Sequence, residues 1–557
     1  MTNSRSTLQE ALGWFEILLI FILGFWLVAV RPLGLNLSQM PGTLQDTRFN
    51  NYVLEHDYRW MTGQDSSLWD APIFYPYPLT LAFSDNHFGS MFFYAAFRVA
   101  GMDRETALQA WYLLSYFLSF AAAAFVLKKL DLKPLAVGMG AFFFTFGLPQ
   151  LGQELHVQLF YRFCIPLACY AFWLFSQKQH FKHLVFTLFW LVWQFYLSIY
   201  LGIFLSLLLI VIALGMPFTQ RPSFSNILMY WPHTFRKAWQ NSKISSNILS
   251  LLAMMIILLA LFVLLRPYAM AVDLYGFSRS WGKVYPMIPR IQSYFIADGV
   301  TLWQPFASFT AKITDHRWEH QLFIGIPAVI LLVAGFIWQF RSPHRKLAFL
   351  FIGAVAVLVL LTLNVKGFTL YKFLWPLPGF SSLRAVTRII LVLMWPIALF
   401  ISIEADALLR IPSRSVIFTT IVLLLLALMA AESIFYNHTT FSKADAQARI
   451  QTLKEQLPTT FPEDPVLYVW DANDTGPSYS EVDAMLLSQD LGWPTVNGYS
   501  GNAPNGSGLV DNCNDISTRI KGYMNFAKIT DPSFYNDLLS RVAPISPQKC
   551  TWYKPVP

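Results

Sequence analysis

Charge is scarce in this chain, and the motifs of many familiar enzymes are missing. Only 13% of its 557 residues are Asp, Glu, Lys or Arg, whereas an ordinary soluble protein carries about 25%. The sequence has no Walker A loop, no G-x-G-x-x-G after a strand, no C-x-x-C pair, no H-E-x-x-H and no internal repeat. ATP-driven pumping therefore has no support in the sequence.

Cysteine is scarce as well, with four residues in the whole chain. Cys164 and Cys169 lie in an apolar segment, where packing is their expected role. Cys513 and Cys550 lie in a polar tail and could pair only if that tail faces an oxidising compartment. A disulfide between them therefore depends on the side of the membrane on which the tail lies.

The chain is instead rich in apolar sequence, with 55% hydrophobic residues, 17% aromatic residues and a mean hydropathy of +0.45. About eleven apolar segments could cross a hydrocarbon core of about 30 Å. They lie near 14–30, 106–127, 134–149, 163–177, 183–198, 199–215, 247–265, 322–339, 346–363, 388–408 and 415–431. The sequence therefore predicts an all-α polytopic membrane protein, whose first span is uncleaved because no A-x-A site follows it.

Basic residues orient these segments. Lys and Arg cluster in alternate loops, and the loop 216–247 holds several cations and no acid. The positive-inside rule places these loops and the N-terminus in the cytoplasm. The net charge of +8 is therefore attributed to topology, and no nucleic-acid partner is predicted. The segment 88–101 is too short for a span and is predicted to form an interfacial or re-entrant helix.

Most polar residues fall on the predicted outer face. Its loops are 31–105, 149–163, 266–321 and 364–388, followed by the tail. The tail has a soluble composition, with a helical pattern at 444–457, a buried strand at 465–470 and a capped helix ending at Gly492. We predict a transmembrane module over 1–435, whose first outer loop is 31–105, and a small extracytoplasmic α/β domain over 440–557.

Asp46 is the leading candidate for catalysis. It lies soon after the first span, behind the turn PGT. A partly desolvated carboxylate at the membrane surface suits a general base for an acceptor hydroxyl. A solvated loop acid and a helix N-cap are the alternatives. The following RFNNYVLEHDYRW predicts an amphipathic helix lying flat at the interface, and its Asn50 is a candidate ligand for sugar hydroxyls.

Two acid-x-His pairs lie beside span ends on the same predicted face. They are Asp85 with His87 and Glu154 with His156. In an extended segment, residues two apart point to one side, so the pairs could form a shared polar site. They could supply ligands for a divalent metal, the one possible cofactor, or bind substrate hydroxyls. Helix capping is the alternative for His156.

The segment DAPIFYPYPLT interleaves prolines with aromatic residues. Proline restricts the backbone, so this segment is predicted to be stiff. Aromatic faces suit the apolar faces of sugar rings, and Tyr75 is therefore a candidate for substrate binding. An interfacial aromatic belt is the alternative.

Cations on the predicted outer face run against the positive-inside bias. The phosphate-binding candidates are Arg162, Lys372, Arg384 and Arg388. Charge near a membrane needs a partner, and a lipid-linked phosphate suits Arg well. Arg384 and Arg388 are four apart, which predicts one helix face at a span entrance. Ion pairing is the alternative, with acids such as Asp273, Asp298 or Glu319.

These features resemble the GT-C superfamily of integral-membrane glycosyltransferases, which have an Asp in the first outer loop, a later acidic motif and about a dozen spans. The resemblance extends to YfhO-like bacterial membrane proteins of this type. It covers about 14–435 and one tail segment, and rests on FYPYPLTLAFSDNHFGS, LSYFLSFAAAAFVLKKL, ELHVQLFYRFCIPLA, LPGFSSLRAVTRIILVL and NGYSGNAP.

The resemblance implies an enzyme of the bacterial inner membrane that moves a monosaccharide from a polyprenyl-phosphate donor to a glycan, lipid or cell-envelope polymer. The transfer would invert configuration on the outer face, with Asp46 as general base. Neither acid-x-His pair matches the family's acid-x-acid motif closely, which leaves metal use open. A transporter or flippase of a lipid-linked glycan is the main alternative, and a non-enzymatic scaffold is the third.

Overall fold

A computed structural model describes residues 2–219, 224–313, 315–338, 343–377, 379–412, 415–470, 478–507 and 515–545. Cys513 and Cys550 lie outside these ranges. The helices are α1 (Thr2–Gly24), α2 (Asp46–Met61), α3 (Met91–Val99), α4 (Arg104–Lys129), α5 (Pro134–Phe146), α6 (Leu148–Leu151), α7 (Cys164–Lys178), α8 (Phe181–Leu197), α9 (Ile199–Gly215), α10 (Phe224–Gln240), α11 (Ile244–Tyr275), α12 (Trp281–Val284), α13 (Ile326–Trp338), α14 (Arg345–Thr362), α15 (Ile390–Leu409), α16 (Ser415–Ile434), α17 (Lys443–Glu455), α18 (Ser478–Leu491), α19 (Asp515–Ala527) and α20 (Pro532–Arg541). The strands are β1 (Gln39–Pro41), β2 (Thr440–Ser442), β3 (Val466–Val469) and β4 (Val542–Ile545).

Nine helical stretches within these ranges are long and apolar enough to cross a membrane, judged by length and composition. They contain α1, α4, α5, α7, α9, α11, α14, α15 and α16. The two shorter apolar helices α8 and α13 account for the remaining predicted segments. The prediction of a helical, multi-pass membrane protein is therefore confirmed.

The loops gather at two ends of the helix bundle. At one end, the Lys133 amide donates a hydrogen bond to Asp406 Oδ1 (2.8 Å), and Arg410 donates to the carbonyl of Asp131 (2.6 Å). At the same predicted face, His180 Nδ1 lies 2.9 Å from Ser242 Oγ. The predicted outer loops converge at the other end, around Asp46. That the first end faces the cytoplasm stays a prediction.

The helix α15 forms the centre of the bundle. It is apolar on all sides and buried along its length, as expected of such a helix. It packs against α5, α13, α14 and α16. Small residues allow membrane helices to approach closely, and α5 supplies Gly140 where it meets α15.

We expect Gly140→Ala to lower the free energy of unfolding by about 1–3 kcal/mol, as overpacking does. An added Cβ would lie 1.8 Å from Ser402 Oγ and 3.0 Å from the Ala398 carbonyl oxygen, and the backbone oxygen cannot turn away. Gly353→Ala in α14 is the matched control, because its Cβ would meet nothing within 4 Å. It should be neutral or stabilising by up to about 1 kcal/mol. Unfolding in mixed micelles measures both, and equal losses would contradict the packing argument.

The tail is built as the sequence predicted, and it shares a core with the first outer loop. Its predicted helices appear as α17 and α18, and its predicted buried strand appears as β3, which pairs in parallel with β4. The strand β1 of the first loop pairs antiparallel with β2. The Phe74 amide donates to the Asn497 carbonyl (2.8 Å), and the Thr495 amide donates to the Pro72 carbonyl (2.9 Å). First loop and tail therefore form one packed unit, and the division into two domains stays a prediction.

The helix predicted after Asp46 forms as α2, but its predicted position flat on a membrane was wrong. Every residue from Thr47 to Asp57 is buried. The tail's α18 covers this helix, where Arg48 pairs with Asp483 and Gln489 donates to the Tyr52 carbonyl. Some polar side chains that predicted a wet face are thus paired inside the protein, whereas both carboxylate oxygens of Asp57 are buried without a hydrogen-bond partner.

The segment 88–101 forms α3, a helix of nine residues. At 1.5 Å per residue it is about 14 Å long, too short to cross a bilayer. It packs against α2 and α4, and Arg98 pairs with Glu55 at 2.8 Å. The prediction that this segment is not a span is therefore confirmed.

Candidate active site

Asp46 lies where the predicted outer loops and the tail meet. It is the first residue of α2, which begins behind the turn at Thr43. Its side chain remains 31% exposed, although the residues from Thr47 to Asp57 that follow it in the helix are buried. The Tyr499 hydroxyl of the tail donates a hydrogen bond to Asp46 Oδ1 (2.6 Å), and His156 Nδ1 lies 3.5 Å from Oδ2. The carboxylate is thus held by two partners and still open to solvent.

Behind His156 lies a buried ion pair between Arg388 and Glu319. Arg388 donates through Nε to Glu319 Oε2 (3.1 Å) and through Nη2 to Oε1 (2.7 Å), a two-point contact. His156 Nε2 lies 3.1 Å from Glu319 Oε1 and 2.9 Å from Arg388 Nη2. The Arg388 guanidinium also sits over the Tyr200 ring at 5.1 Å. Asp46, His156, Glu319 and Arg388 therefore form one continuous polar chain.

The partners set the charge of this chain. Burial raises the pKa of Asp46, but His156, the Tyr499 hydroxyl and the charge of Arg388 outweigh burial and hold it below its ordinary value. Burial and Arg388 lower the pKa of His156, but Glu319 and Asp46 outweigh them and raise it. Both shifts favour a carboxylate beside an imidazolium. Desolvation therefore does not set the pKa of Asp46, because its hydrogen-bonding and cationic neighbours act more strongly.

Arg384 and Arg388 do not share a helix face, so that prediction was wrong. The turn over Val386–Ile389 is a short 3₁₀ helix, and α15 begins only at Ile390. Arg388 is buried on Glu319, which was the alternative expectation for it. Arg384 is exposed, and its backbone amide donates to the Tyr200 hydroxyl (2.9 Å). Its charge acts on Tyr499 and on Arg279, so it lies at the rim of the same site.

The other two phosphate-binding candidates lie in different settings. Arg162 is fully buried and donates to the carbonyl oxygens of Phe144 (2.7 Å) and Leu391 (3.3 Å). The prediction that Arg162 binds phosphate was wrong, because its guanidinium is buried in the bundle and donates to backbone carbonyl groups there. Lys372 is exposed in the turn Leu370–Phe373 and stays a prediction.

Asn50 and His87 form hydrogen bonds that hold the backbone at Asp46. Asn50 Nδ2 donates to the Asp46 carbonyl (2.6 Å) and to Gln158 (3.3 Å). His87 Nε2 lies 2.8 Å from Asn50 Oδ1. Burial lowers the pKa of His87 to about 3, so its ring is neutral and Nε2 donates this bond. Both side chains are buried, and here they position the first turn of α2.

Asp85 fixes the start of α9. Its carboxylate accepts hydrogen bonds from Ser198 Oγ (2.5 Å) and from the Ile199 amide (2.7 Å). A carboxylate at a helix N-terminus satisfies free amide groups and the helix dipole. Burial nevertheless raises the pKa of Asp85 to about 6. Because Tyr200 follows directly in α9, Asp85 holds the ring on which Arg388 rests.

The two acid-x-His pairs do not form a shared metal site. Glu154 accepts from the Thr439 amide (2.6 Å), and its other oxygen lies 2.9 Å from His438 Nδ1. Asp85, His87, Glu154 and His156 therefore each have a different partner. Over the described ranges, no group of three or more His, Cys, Asp or Glu side chains is arranged to hold a metal ion. The four predicted ligands do not fit one ion, because His87, Asp85 and Glu154 are hydrogen-bonded to α2, to the start of α9 and to the tail, respectively.

The aromatic segment is neither an open sugar platform nor a membrane belt. Phe74 is buried against Phe83 at 5.7 Å between ring centres. Tyr75 packs on the core of the tail, and its amide donates to the Thr495 carbonyl (2.9 Å). Its ring thus joins the first loop to the tail while remaining half-buried, and a role of Tyr75 in sugar binding stays a prediction.

Glu319 of the polar chain and Tyr499, which contacts Asp46, were not sequence candidates for a site. Glu319 had been considered only as an ion-pair partner, and Tyr499 lies within the NGYSGNAP segment without an assigned role. Tyr499 is 453 residues from Asp46, and no local pattern connects residues so far apart. The polar NGYSGNAP turn in a soluble tail was the only signal that could have indicated it.

No protein-family model matches the chain, and no curated protein matches it in sequence. Among solved structures, the apo oligosaccharyltransferase of Archaeoglobus fulgidus is similar, with a TM-score of 0.47 and 11% identity over 87% of this chain and 64% of that one. The arabinofuranosyltransferase AftD from Mycobacteria gives 0.43 and 12%, over 83% and 29%. Archaeal AglB from A. fulgidus, with an inhibitory peptide and a dolichol-phosphate, gives 0.44 and 12%, over 88% and 65%.

The chain thus spans less than two thirds of the length of each of these three proteins. With TM-scores below 0.5, the likeness assigns neither a family nor an activity to this chain.

Proposed function

We propose that this protein is a GT-C-type glycosyltransferase of the bacterial inner membrane. It transfers a monosaccharide from a polyprenyl-phosphate donor to a glycan, lipid or cell-envelope polymer, with inversion. The observation that carries the proposal is the Asp46 carboxylate, 31% exposed at the meeting point of four loops and the tail. It contacts Tyr499 and His156, and Arg388 lies behind His156. The N-terminus lies in the cytoplasm, and the site faces the outside.

In the proposed reaction, the acceptor hydroxyl replaces the Tyr499 hydroxyl at Asp46 Oδ1. Its oxygen attacks the anomeric carbon from the face opposite the phosphate, and the bond from that carbon to the phosphate oxygen breaks. The electron pair leaves with the polyprenyl phosphate, and the hydroxyl proton passes to Asp46. A carboxylate of low pKa suffices, because the attacking hydroxyl becomes strongly acidic as its new bond forms.

The leaving phosphate needs a positive charge that is not already neutralised. Arg388 is paired with Glu319 in two hydrogen bonds, so its role is to hold His156 and to act on Asp46 at a distance. Arg384 is exposed at the rim, beside Arg279, which donates to the Gly501 carbonyl. We assign Arg384 to the donor phosphate, where an aligned cation stabilises the developing charge.

The test is sugar release from a panel of polyprenyl-phosphate monosaccharides, radiolabelled in the sugar, with purified protein in detergent and a cell-envelope extract as acceptor. We expect one donor to lose its label to the aqueous or polymer fraction. Lipid binding without release from any donor would favour the alternative of a transporter or flippase. Neither binding nor release would contradict both.

We expect Arg384→Gln to weaken binding of the polyprenyl-phosphate donor by about tenfold, the value of one hydrogen bond to a charged group. Lys366→Gln is the matched control, because it removes an exposed cation from the same predicted outer loop. Donor binding in detergent, measured by competition with unlabelled polyprenyl phosphate, compares the two variants. An equal loss in both would show a general charge effect and remove Arg384 from the site.

A further inference from the structure

The helix α10 lies between two helices, α9 and α11, that are long and apolar enough to cross a membrane. It has 17 residues, a length of about 25 Å. It follows the apolar α9 after the short turn Met216–Thr219, and the apolar α11 begins at Ile244, soon after its end. A helix tied at both ends to spanning helices stays near the level at which those helices leave the bilayer. Its position is therefore fixed by its neighbours.

One face of α10 packs on the bundle. Tyr230, Thr234 and Ala238 are buried at the spacing of one helix face. The Trp231 ring stacks on Phe172 at 5.8 Å, and its indole nitrogen donates to the Ala213 carbonyl (3.2 Å). This face anchors the helix to α7 and α9.

A second face is apolar and partly exposed, although Phe235 and Trp239 also contact the Phe181 ring of α8. Leu228 is 63% exposed, Phe235 is 42% exposed and Trp239 is 46% exposed. With Pro232 they recur at i, i+4, i+7 and i+11, the spacing of one stripe. Large exposed apolar side chains in one stripe mark an interaction surface.

The third face is cationic. Arg236 and Lys237 are exposed there and form no ion pair among the described residues. Lys243 follows the helix. Lys178 ends α7 and Lys182 lies in the first turn of α8, on either side of His180, which contacts Ser242 just after α10. The sequence has no acid anywhere from residue 155 to residue 272. The positive charge around α10 therefore has no counter-charge from any residue between 155 and 272.

We propose that α10 is an in-plane helix that binds anionic phospholipid headgroups. Its apolar stripe enters the boundary between headgroups and acyl chains, and its cations bind the phosphates above it. A helix with an apolar face, a basic face and flanking cations has the features of such an anchor. Plain contact with acyl chains would leave Arg236 and Lys237 without partners, and a lipid phosphate supplies them.

The test compares lipids retained by the full-length protein in native mass spectrometry, after exchange into detergent with equal phosphatidylglycerol and phosphatidylcholine. We expect wild type to retain phosphatidylglycerol preferentially. The double variant Arg236→Gln/Lys237→Gln should lose about fivefold of this preference for each charge removed, since one cation near an anionic surface contributes about 1 kcal/mol. Lys312→Gln/Lys366→Gln is the control, with the same charge change in exposed residues of the predicted outer loops.

A second measurement keeps the proposal testable if lipid exchange is incomplete. A cysteine at Leu228, labelled with a polarity-sensitive dye in a variant whose tail cysteines are replaced by serine, reports on the apolar stripe in nanodiscs. We expect a label shielded from aqueous iodide in phosphatidylglycerol discs. A preference unchanged in the α10 variant, an equal loss in the control, or a label open to iodide would overturn the proposal. Shielding by a second copy, seen as a dimer mass, would also overturn it.

Discussion

Asp46→Asn will slow sugar transfer by about 10²–10⁴-fold, the usual contribution of a positioned general base. Asparagine keeps the size of the side chain and can still contact Tyr499 and His156. It cannot accept the proton of the acceptor hydroxyl, however, so the loss should appear in kcat. Donor binding should remain within about twofold, because the phosphate contacts assigned to Arg384 are untouched.

The matched control is Asp273→Asn, which removes an exposed acid on the same predicted face, at the end of α11. Its transfer rate should equal that of wild type. Initial rates at several donor concentrations separate kcat from KM for each variant. A wild-type rate in Asp46→Asn would remove the base from the mechanism, and a loss confined to KM would make Asp46 a binding residue.

Glu319→Leu will lower the free energy of unfolding by about 3–5 kcal/mol, because it leaves the Arg388 guanidinium buried without a counter-charge. Glu319 is 1% exposed and Arg388 is 7% exposed at their side chains. Loss of the carboxylate also removes the partner of His156 Nε2. Few other single changes in this site would leave an uncompensated charge at such depth.

The double variant Glu319→Leu/Arg388→Met tests the cause. Replacing a buried ion pair by apolar side chains is often neutral or stabilising, so most of the lost stability should return. Asp537→Asn is the control for a loose surface pair, 3.9 Å from Arg541 and 68% exposed, and should change stability by less than about 1 kcal/mol. Unfolding in mixed micelles reports all three. If the double variant is no more stable than Glu319→Leu, the unpaired charge is not the cause.

The spans were predictable because an apolar segment of about 20 residues has few other stable states. The same reasoning found α8 and α13, even though these helices are shorter. The alternation of basic loops agrees with the contact between Arg410 and Asp131, which joins two of these loops, and the side of the membrane that they face stays a prediction. Properties of this kind depend on a short window of sequence, and a single chain is enough to find them.

The side chains of the site were less predictable, because their neighbours come from far along the chain. Asp46 and His156 were identified from local position, but their pairing and the direction of their pKa shifts depend on Arg388, Glu319 and Tyr499. Arg384 and Arg388 were placed on a common helix that begins only at Ile390. The aromatic segment was predicted to be an exposed surface. Its own sequence gives no sign that the distant tail covers it.

The hydrogen bond between Tyr499 and Asp46 has a consequence for biosynthesis. The two residues are separated by 453 positions, and a ribosome adding about 5–20 residues per second needs about 20–90 seconds to cover that distance. During this time the first loop and the spans enter the membrane with an Asp46 that has no tail partner. The site is therefore completed only late in translation, once the tail has been synthesised, and an interrupted chain would insert without it.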